Sequence, residues 1–188
     1  MVLNYFGEGC FRLQSGEVSL LVNSVNNRLK ADVYLKTLTL ANGDPAGEEI
    51  AFPGEYEIKD IEIQGWPLAK ESTEKFVKTI YLVTWEEMKF LFLGHISKPL
   101  DAELLEEIGE PDLVFLPTGD DHFIDPEAGA KLIKQLEPAF IVPAFYKNAN
   151  AFLKTMGQKT EPQEKLVFRK KDLPAGKAQV VLLEVPHP

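Results

Sequence analysis

The sequence predicts an α+β fold in which two layers of sheet are covered by helices on their outer faces. Three observations predict it. Through residues 2–93, short runs alternate apolar and polar residues with period two and are separated by turn residues. From Asp101 onward the spacing becomes that of helices alternating with short apolar runs. Phe90-Leu91-Phe92-Leu93, Leu113-Val114-Phe115-Leu116 and Ala139-Phe140-Ile141-Val142 are apolar on both faces, as strands covered on both sides must be.

Taken in order, residues 2–6, 10–14 and 18–22 read as three strands joined by Gly7-Glu8-Gly9 and Ser15-Gly16-Glu17, a β-meander. A polar loop follows, from Asn23 to about Lys30. The stretch 31–45 begins as a buried strand at Val33 and Leu35 and ends in a Gly-Asp-Pro turn. Short strands at 49–52, 55–58 and 61–64 follow. A charged loop over 69–77 leads to a long hairpin, 79–85 against 89–93. The first half is therefore read as antiparallel. Residues 101–109 form a helix with Asp101 at its start and Gly109 at its end. A second helix starts at Pro126, capped by Asp125, and runs to about Leu136. A third, from Asn148 to Met156, is ended by Gly157. The chain closes with strands at 167–168 and 180–185.

The length of 188 residues suits one domain over 1–188, and a 45% hydrophobic composition can fill its core without disulfides. A net charge of −9 argues against nucleic acid or an anionic membrane as partner. The basic run Arg169-Lys170-Lys171 is too short to reverse that. Cys10 is the one cysteine, so no internal disulfide or thiolate cluster can form, and its apolar neighbourhood marks a buried thiol. No signal peptide and no apolar run of the ~20 residues that span a bilayer occur, so the expected compartment is the cytoplasm.

Several motifs together resemble one family. They are Tyr5-Phe6-Gly7 with Cys10-Phe11, Pro53-Gly54-Glu55-Tyr56-Glu57-Ile58, Leu93-Gly94, Asp112 to Pro117, Ile124-Asp125-Pro126-Glu127-Ala128, Glu137-Pro138 and Ile141-Val142-Pro143. From Val2 to about Gly157 the chain is similar to small metallo-β-lactamase-fold hydrolases of the ascorbate-6-phosphate lactonase-like branch. The resemblance implies a four-layer α/β/β/α sandwich. It also implies metal-assisted hydrolysis, with His and Asp ligands holding Zn or Mn between the sheets.

The family's ligands do not carry across. Its His-x-His-x-Asp-His stretch falls on 36–42, where Lys36-Thr37-Leu38-Thr39-Leu40-Ala41-Asn42 has no ligand. Asn23-Ser24 stands for its Asp-Pro, and Lys70 for a His after a Gly-x-Pro. Leu93-Gly94-His95 replaces Leu-Gly-Asp, and Phe145 takes the place of the last His. The resemblance, so modified, leads to two expectations. The first is a fold that has lost its hydrolytic site, a non-catalytic binding or interaction module with no cofactor. Its partner would be a small molecule, a protein or a second copy of the chain, with Phe145 and Tyr146 lining the vacated cleft. The alternative is a hydrolase of phosphorylated or lactone-like small molecules. There His95, Asp120, Asp121 and His122 would hold one divalent Zn or Mn in a rearranged way. Against the second stands a plain reading of Gly119-Asp120-Asp121 as a solvated turn, with Asp125 as a helix cap.

Glu55 and Glu57 share a face, but with Glu62 nearby they read as an acidic exposed surface rather than an acid–base pair. No serine sits in a Gly-x-Ser-x-Gly turn, and no glycine loop leads to Lys-Ser, so serine hydrolase and nucleotide-cradling chemistries are not indicated.

Overall fold

The structure of the chain, a computed structural model, describes residues 1–26, 28–45, 47, 49–119 and 122–186. Among the described residues the strands form two facing sheets. The first runs in the order β13-β1-β2-β3-β4-β6. It is built from β1 (Val2–Tyr5), β2 (Phe11–Ser15), β3 (Val18–Val22), β4 (Val33–Leu35), β6 (Glu49–Ile50) and β13 (Leu166–Val167). The second runs β14-β12-β11-β10-β9-β8-β7. Its strands are β7 (Gly54–Ile58), β8 (Ile61–Pro67), β9 (Phe76–Trp85), β10 (Met88–Phe92), β11 (Leu113–Pro117), β12 (Phe140–Ala144) and β14 (Gln179–Val180). A short β5 (Leu38–Leu40) pairs with the first residues of β9.

The period-two alternation decides which faces meet. Leu3, Tyr5, Phe11, Leu13, Leu20, Val22, Val33 and Leu35 of the first sheet point inward. They pack on Ile61, Ile63, Tyr81, Val83, Phe90, Phe92 and Phe115 of the second. An aromatic chain bridges the layers: Tyr5 stacks on Phe11 at 4.6 Å, Phe11 meets the edge of Phe115 at 4.8 Å, and Phe115 stacks on Phe92 at 4.1 Å. Each such pair adds about 0.5–1.5 kcal/mol to its area burial.

Residues 90–93 behave as their apolarity on both faces requires. Phe90 and Phe92 face the first sheet, while Leu91 and Leu93 face a second core beneath the helices. That core is closed by α1 (Ala102–Ile108), α2 (Pro126–Leu136) and α3 (Asn150–Met156) through Ile108, Leu132, Ile133, Leu136, Phe152 and Leu153. Asp125 caps α2 as expected, accepting from Glu127 N and Ala128 N at 3.0 Å each. Asp101 begins α1 without capping it, because Lys70 Nζ holds its two carboxylate oxygens at 2.9 Å. The α+β class and the two-sheet frame of the resemblance stand.

Four local expectations change, one of them the closing strand expected over 180–185, which is only Gln179–Val180 with an isolated bridge at Leu183. The first half is not wholly antiparallel: β4 runs parallel to both β3 and β6. Alternation fixes a strand's faces but not its direction. The stretch 31–45 is two strands, β4 and β5, with the chain crossing between sheets at Lys36 and Thr37. β9 begins at Phe76, inside the loop expected over 69–77, because Phe76, Val77 and Lys78 pair with β5.

Candidate functional site

Several strands end at one place between the sheets. Tyr5 ends β1, Asn23 follows β3, Thr37 follows β4, and His95 and Phe145 follow β10 and β12. The second sheet delivers its residues because β10, β11 and β12 are parallel and finish on one edge. Parallel strands with functional groups at their carboxyl ends are a common way to build a site.

Thr37 joins the layers. Asn23 takes a left-handed conformation, φ 50°, which Asn tolerates better than most residues. Its side chain folds back so that Oδ1 accepts Thr37 N at 2.9 Å and Thr37 Oγ1 at 3.0 Å. A hydroxyl carries one proton, so Thr37 Oγ1 accepts at its 3.2 Å contact with His95 Nδ1. The network therefore puts the imidazole proton on Nδ1 and leaves Nε2 with a lone pair. Gly94 makes this approach possible: its φ is 58°, and a Cβ there would stand 2.4 Å from Thr37 Cβ.

The loop carrying His95 is held from below. Lys78 Nζ donates to His95 O at 2.8 Å and to Glu71 Oε2 at 3.1 Å. Glu71 also accepts from Ser97 N and Ser97 Oγ, both at 2.8 Å, and from Lys98 N at 3.1 Å. Burial alone would raise the Glu71 carboxyl, but the bonds from Ser97 and Lys78 outweigh it and hold it below the usual range. Burial, with Lys78 as a smaller cause, pushes His95 down to about 4. The imidazole is thus neutral at pH 7.

Aromatic rings fill the rest. Phe145, half-buried and left-handed at φ 56°, lies 4.6 Å from the His95 ring and 4.8 Å from Phe123. Its N–H donates to Tyr5 Oη at 3.0 Å, and burial pushes that phenol up to about 12. Of the residues named from sequence, His95 and Phe145 meet here. Tyr146 instead stacks on Tyr5 at 5.8 Å and donates to Leu183 O at 2.6 Å, which ties down the C-terminal segment. His122 is exposed on the adjoining loop, and Asp120 and Asp121 lie outside the described residues. Cys10 is fully buried, with its thiol pushed up to about 11 by burial. Sequence reasoning missed Asn23, Thr37 and Phe123 as contacts of one another or of His95; only their place just beyond apolar runs hinted at it.

The described residues do not fit a metal ion. No three His, Cys, Asp or Glu among them stand close enough to share one. The polar groups around Thr37 are one imidazole, one hydroxyl and one amide, and the Phe145 ring lies against the imidazole.

The profile of the beta-lactamase superfamily domain matches residues 2–144. A metal-dependent hydrolase of Methanopyrus kandleri is 30% identical over 66 residues, 35% of this chain and 29% of that protein. A metal-dependent hydrolase of Roseiflexus castenholzii is 34% identical over 53 residues, 28% of this chain and 22% of that protein. The matched stretches thus span less than a third of either relative. A Thermotoga maritima protein, described as a candidate zinc-dependent hydrolase of the metallo-β-lactamase superfamily, superposes with a TM-score of 0.77 at 20% identity. The match covers 97% of this chain and 99% of that one.

The expectations of a non-catalytic module and of no cofactor are corrected by these relatives, whose names are those of metal-dependent hydrolases. The loss of the family's ligand motif outweighed the rearranged arrangement around His95 in that expectation, although a lost motif removes one way of holding a metal and not every way. Function resides in sites placed on a fold, and more than one arrangement is open to it. Among the described residues no helix is long and apolar enough to cross a membrane. With its profile match over 2–144 and its two facing sheets, the chain belongs to the metallo-β-lactamase superfamily.

Proposed function

We propose that the chain is a metal-dependent hydrolase of a phosphorylated or lactone-like small molecule, acting in the cytoplasm at the strand ends around His95. The observation that carries this reading is His95 itself. It is a neutral imidazole whose tautomer is set by Thr37 and Asn23, just beyond the end of a central strand. Support for the metal comes from the names of the two relatives. Because the described residues supply too few donors, the others would be those named with His95 from the sequence, Asp120, Asp121 and His122, of which Asp120 and Asp121 lie outside the described residues.

The chain's own groups have definable tasks. At neutral pH His95 offers the Nε2 lone pair without carrying a charge, so it suits accepting a hydrogen bond or holding an electrophile more than ferrying a proton. Thr37 and Asn23 hold the ring in place. Lys78 and Glu71 fix the loop beneath it, and the rings of Phe123 and Phe145 exclude water from one side.

The test is turnover of a panel of lactones and phosphate monoesters with protein loaded with Zn or Mn. The expected result is metal-dependent hydrolysis that falls at least about a hundredfold in His95→Ala, the size expected when a group acting on the reacting atoms is lost. Turnover that ignores that substitution, or its absence with every metal, would remove the reading.

A further inference from the structure

We propose that Phe145 is an access gate over His95: its ring, seated in the space left by Gly9, closes the strand-end site, and a substrate enters by displacing it. The inference rests on the site lying at His95, not on the reaction carried out there.

Three independent features place the ring. Gly9 has no side chain, and a Cβ there would lie 2.1 Å from Phe145 Cζ and 2.6 Å from both Cε atoms. The ring thus occupies the volume that any other residue at position 9 would need, and it connects the β1–β2 turn to the loops that follow β10 and β11. On its other side it faces His95 at 4.6 Å and Phe123 at 4.8 Å. Its backbone is left-handed, a conformation an aromatic residue adopts at a cost of order 1–3 kcal/mol and keeps only where its surroundings enforce it. Its backbone is held by the hydrogen bond from Phe145 N to Tyr5 Oη at 3.0 Å and by close packing on Gly119, where a Cβ would stand 2.6 Å from Phe145 O. Ala144 before it is locked in β12, paired in register with Pro117. The movable unit is therefore one residue at the end of a rigid strand, as expected of a hinge position. The ring is only half-buried, so it has solvent to swing into.

A gate also accounts for why Tyr5, Gly9 and Phe145 meet far from one another in sequence. With the ring in place, an apolar surface of Phe123 and Phe145 borders the imidazole. With the ring displaced, the same surface is what an incoming molecule would meet. The gate thus favours substrates with an apolar group next to the bond that is cut.

The test reads access to His95 directly, without turnover. Full-length protein is treated with diethyl pyrocarbonate, which acylates neutral imidazole, and the peptides bearing His95 and His122 are quantified by mass spectrometry. His122, exposed in the same molecule, is the reference. The wild type should label His95 far more slowly than His122. Phe145→Ala should raise the His95-to-His122 ratio at least about tenfold, because a closed state with an open population of at most ~10% slows reaction by that factor. Gly9→Ala keeps the ring but evicts it from its seat, and should raise the ratio in the same direction. Phe145→Leu, which preserves apolar filling, guards against misfolding of the smaller variant and should give an intermediate value. A ratio near one in the wild type, or one unchanged in the folded Phe145 variants and Gly9→Ala, overturns the gate. Either result leaves the hydrolase reading untouched, and loss of hydrolysis with the labelling pattern intact leaves the gate.

Discussion

The hydroxyl of Thr37 stands 3.2 Å from His95 Nδ1, so a residue that leaves the first sheet fixes the tautomer of a residue that leaves the second. Thr37→Val keeps the shape and removes the hydroxyl. It should cost about 1–2 kcal/mol, the value of a buried hydrogen bond with a partner left unpaired. Urea unfolding measures the loss. Nitrogen NMR of His95 should show the Nδ1–H tautomer in the wild type and a mixture in the variant.

Glu71 and Lys78 form an ion pair whose side chains are 6% and 20% exposed, beneath the loop that carries His95. Glu71→Ala would strand the Lys78 ammonium and the amides of Ser97 and Lys98, and should cost about 3 kcal/mol. Glu71→Ala combined with Lys78→Met should recover part of that, because the uncompensated charge is gone. A double-mutant cycle in urea checks both values. If the two single losses add without interaction, the pair is not coupled.

Stability should depend on pH through His95. Its value falls from the ordinary 6.5 to about 4 on folding, through burial first and Lys78 second. Between those limits the unfolded chain binds a proton that the folded chain refuses. The contribution is therefore whole above pH 6.5 and is lost as the pH falls through 6.5 toward 4. His95→Gln should flatten this part of the stability–pH curve relative to the wild type, measured by unfolding midpoints across the window.

Gly94 and Gly16 share left-handed backbones, φ 58° and 56°, but only Gly94 is crowded. Gly16 has nothing within 4 Å of an added Cβ, whereas at Gly94 that atom would lie 2.4 Å from Thr37 Cβ. Gly16→Ala should cost about 1 kcal/mol of backbone strain. Gly94→Ala should cost at least ~2 kcal/mol more, since Thr37 must move. Equal midpoints for the two variants would show that the strand ends are not tightly packed.

The frame of this molecule was legible because periodicity records which faces are covered. Phe90-Leu91-Phe92-Leu93 announced a strand with a core on each side, and Asp125-Pro126 announced a capped helix. The direction of β4 was not legible, since a strand reads alike either way. β5 was hidden because, unlike the equally short β4, it buries neither of its leucines fully, so its pattern does not mark a covered face. At the site, Gly94-His95 and Phe145 were legible as residues following strands, and the structure brings the two rings together at 4.6 Å. The motif comparison could not show that Thr37, an unremarked residue in the ligand-free stretch, bonds to His95 across the sheets. It also misled: the lost motif outweighed the rearranged arrangement around His95, and the metal-dependent relatives corrected that.

The central claim is that this strand-end site serves metal-dependent hydrolysis. Elemental analysis of protein purified without chelators, as wild type and His95→Ala, tests it most directly. The account predicts about one equivalent of Zn or Mn per wild-type chain and a clear loss in the variant. No bound metal in the wild type, after incubation with either ion, would contradict it.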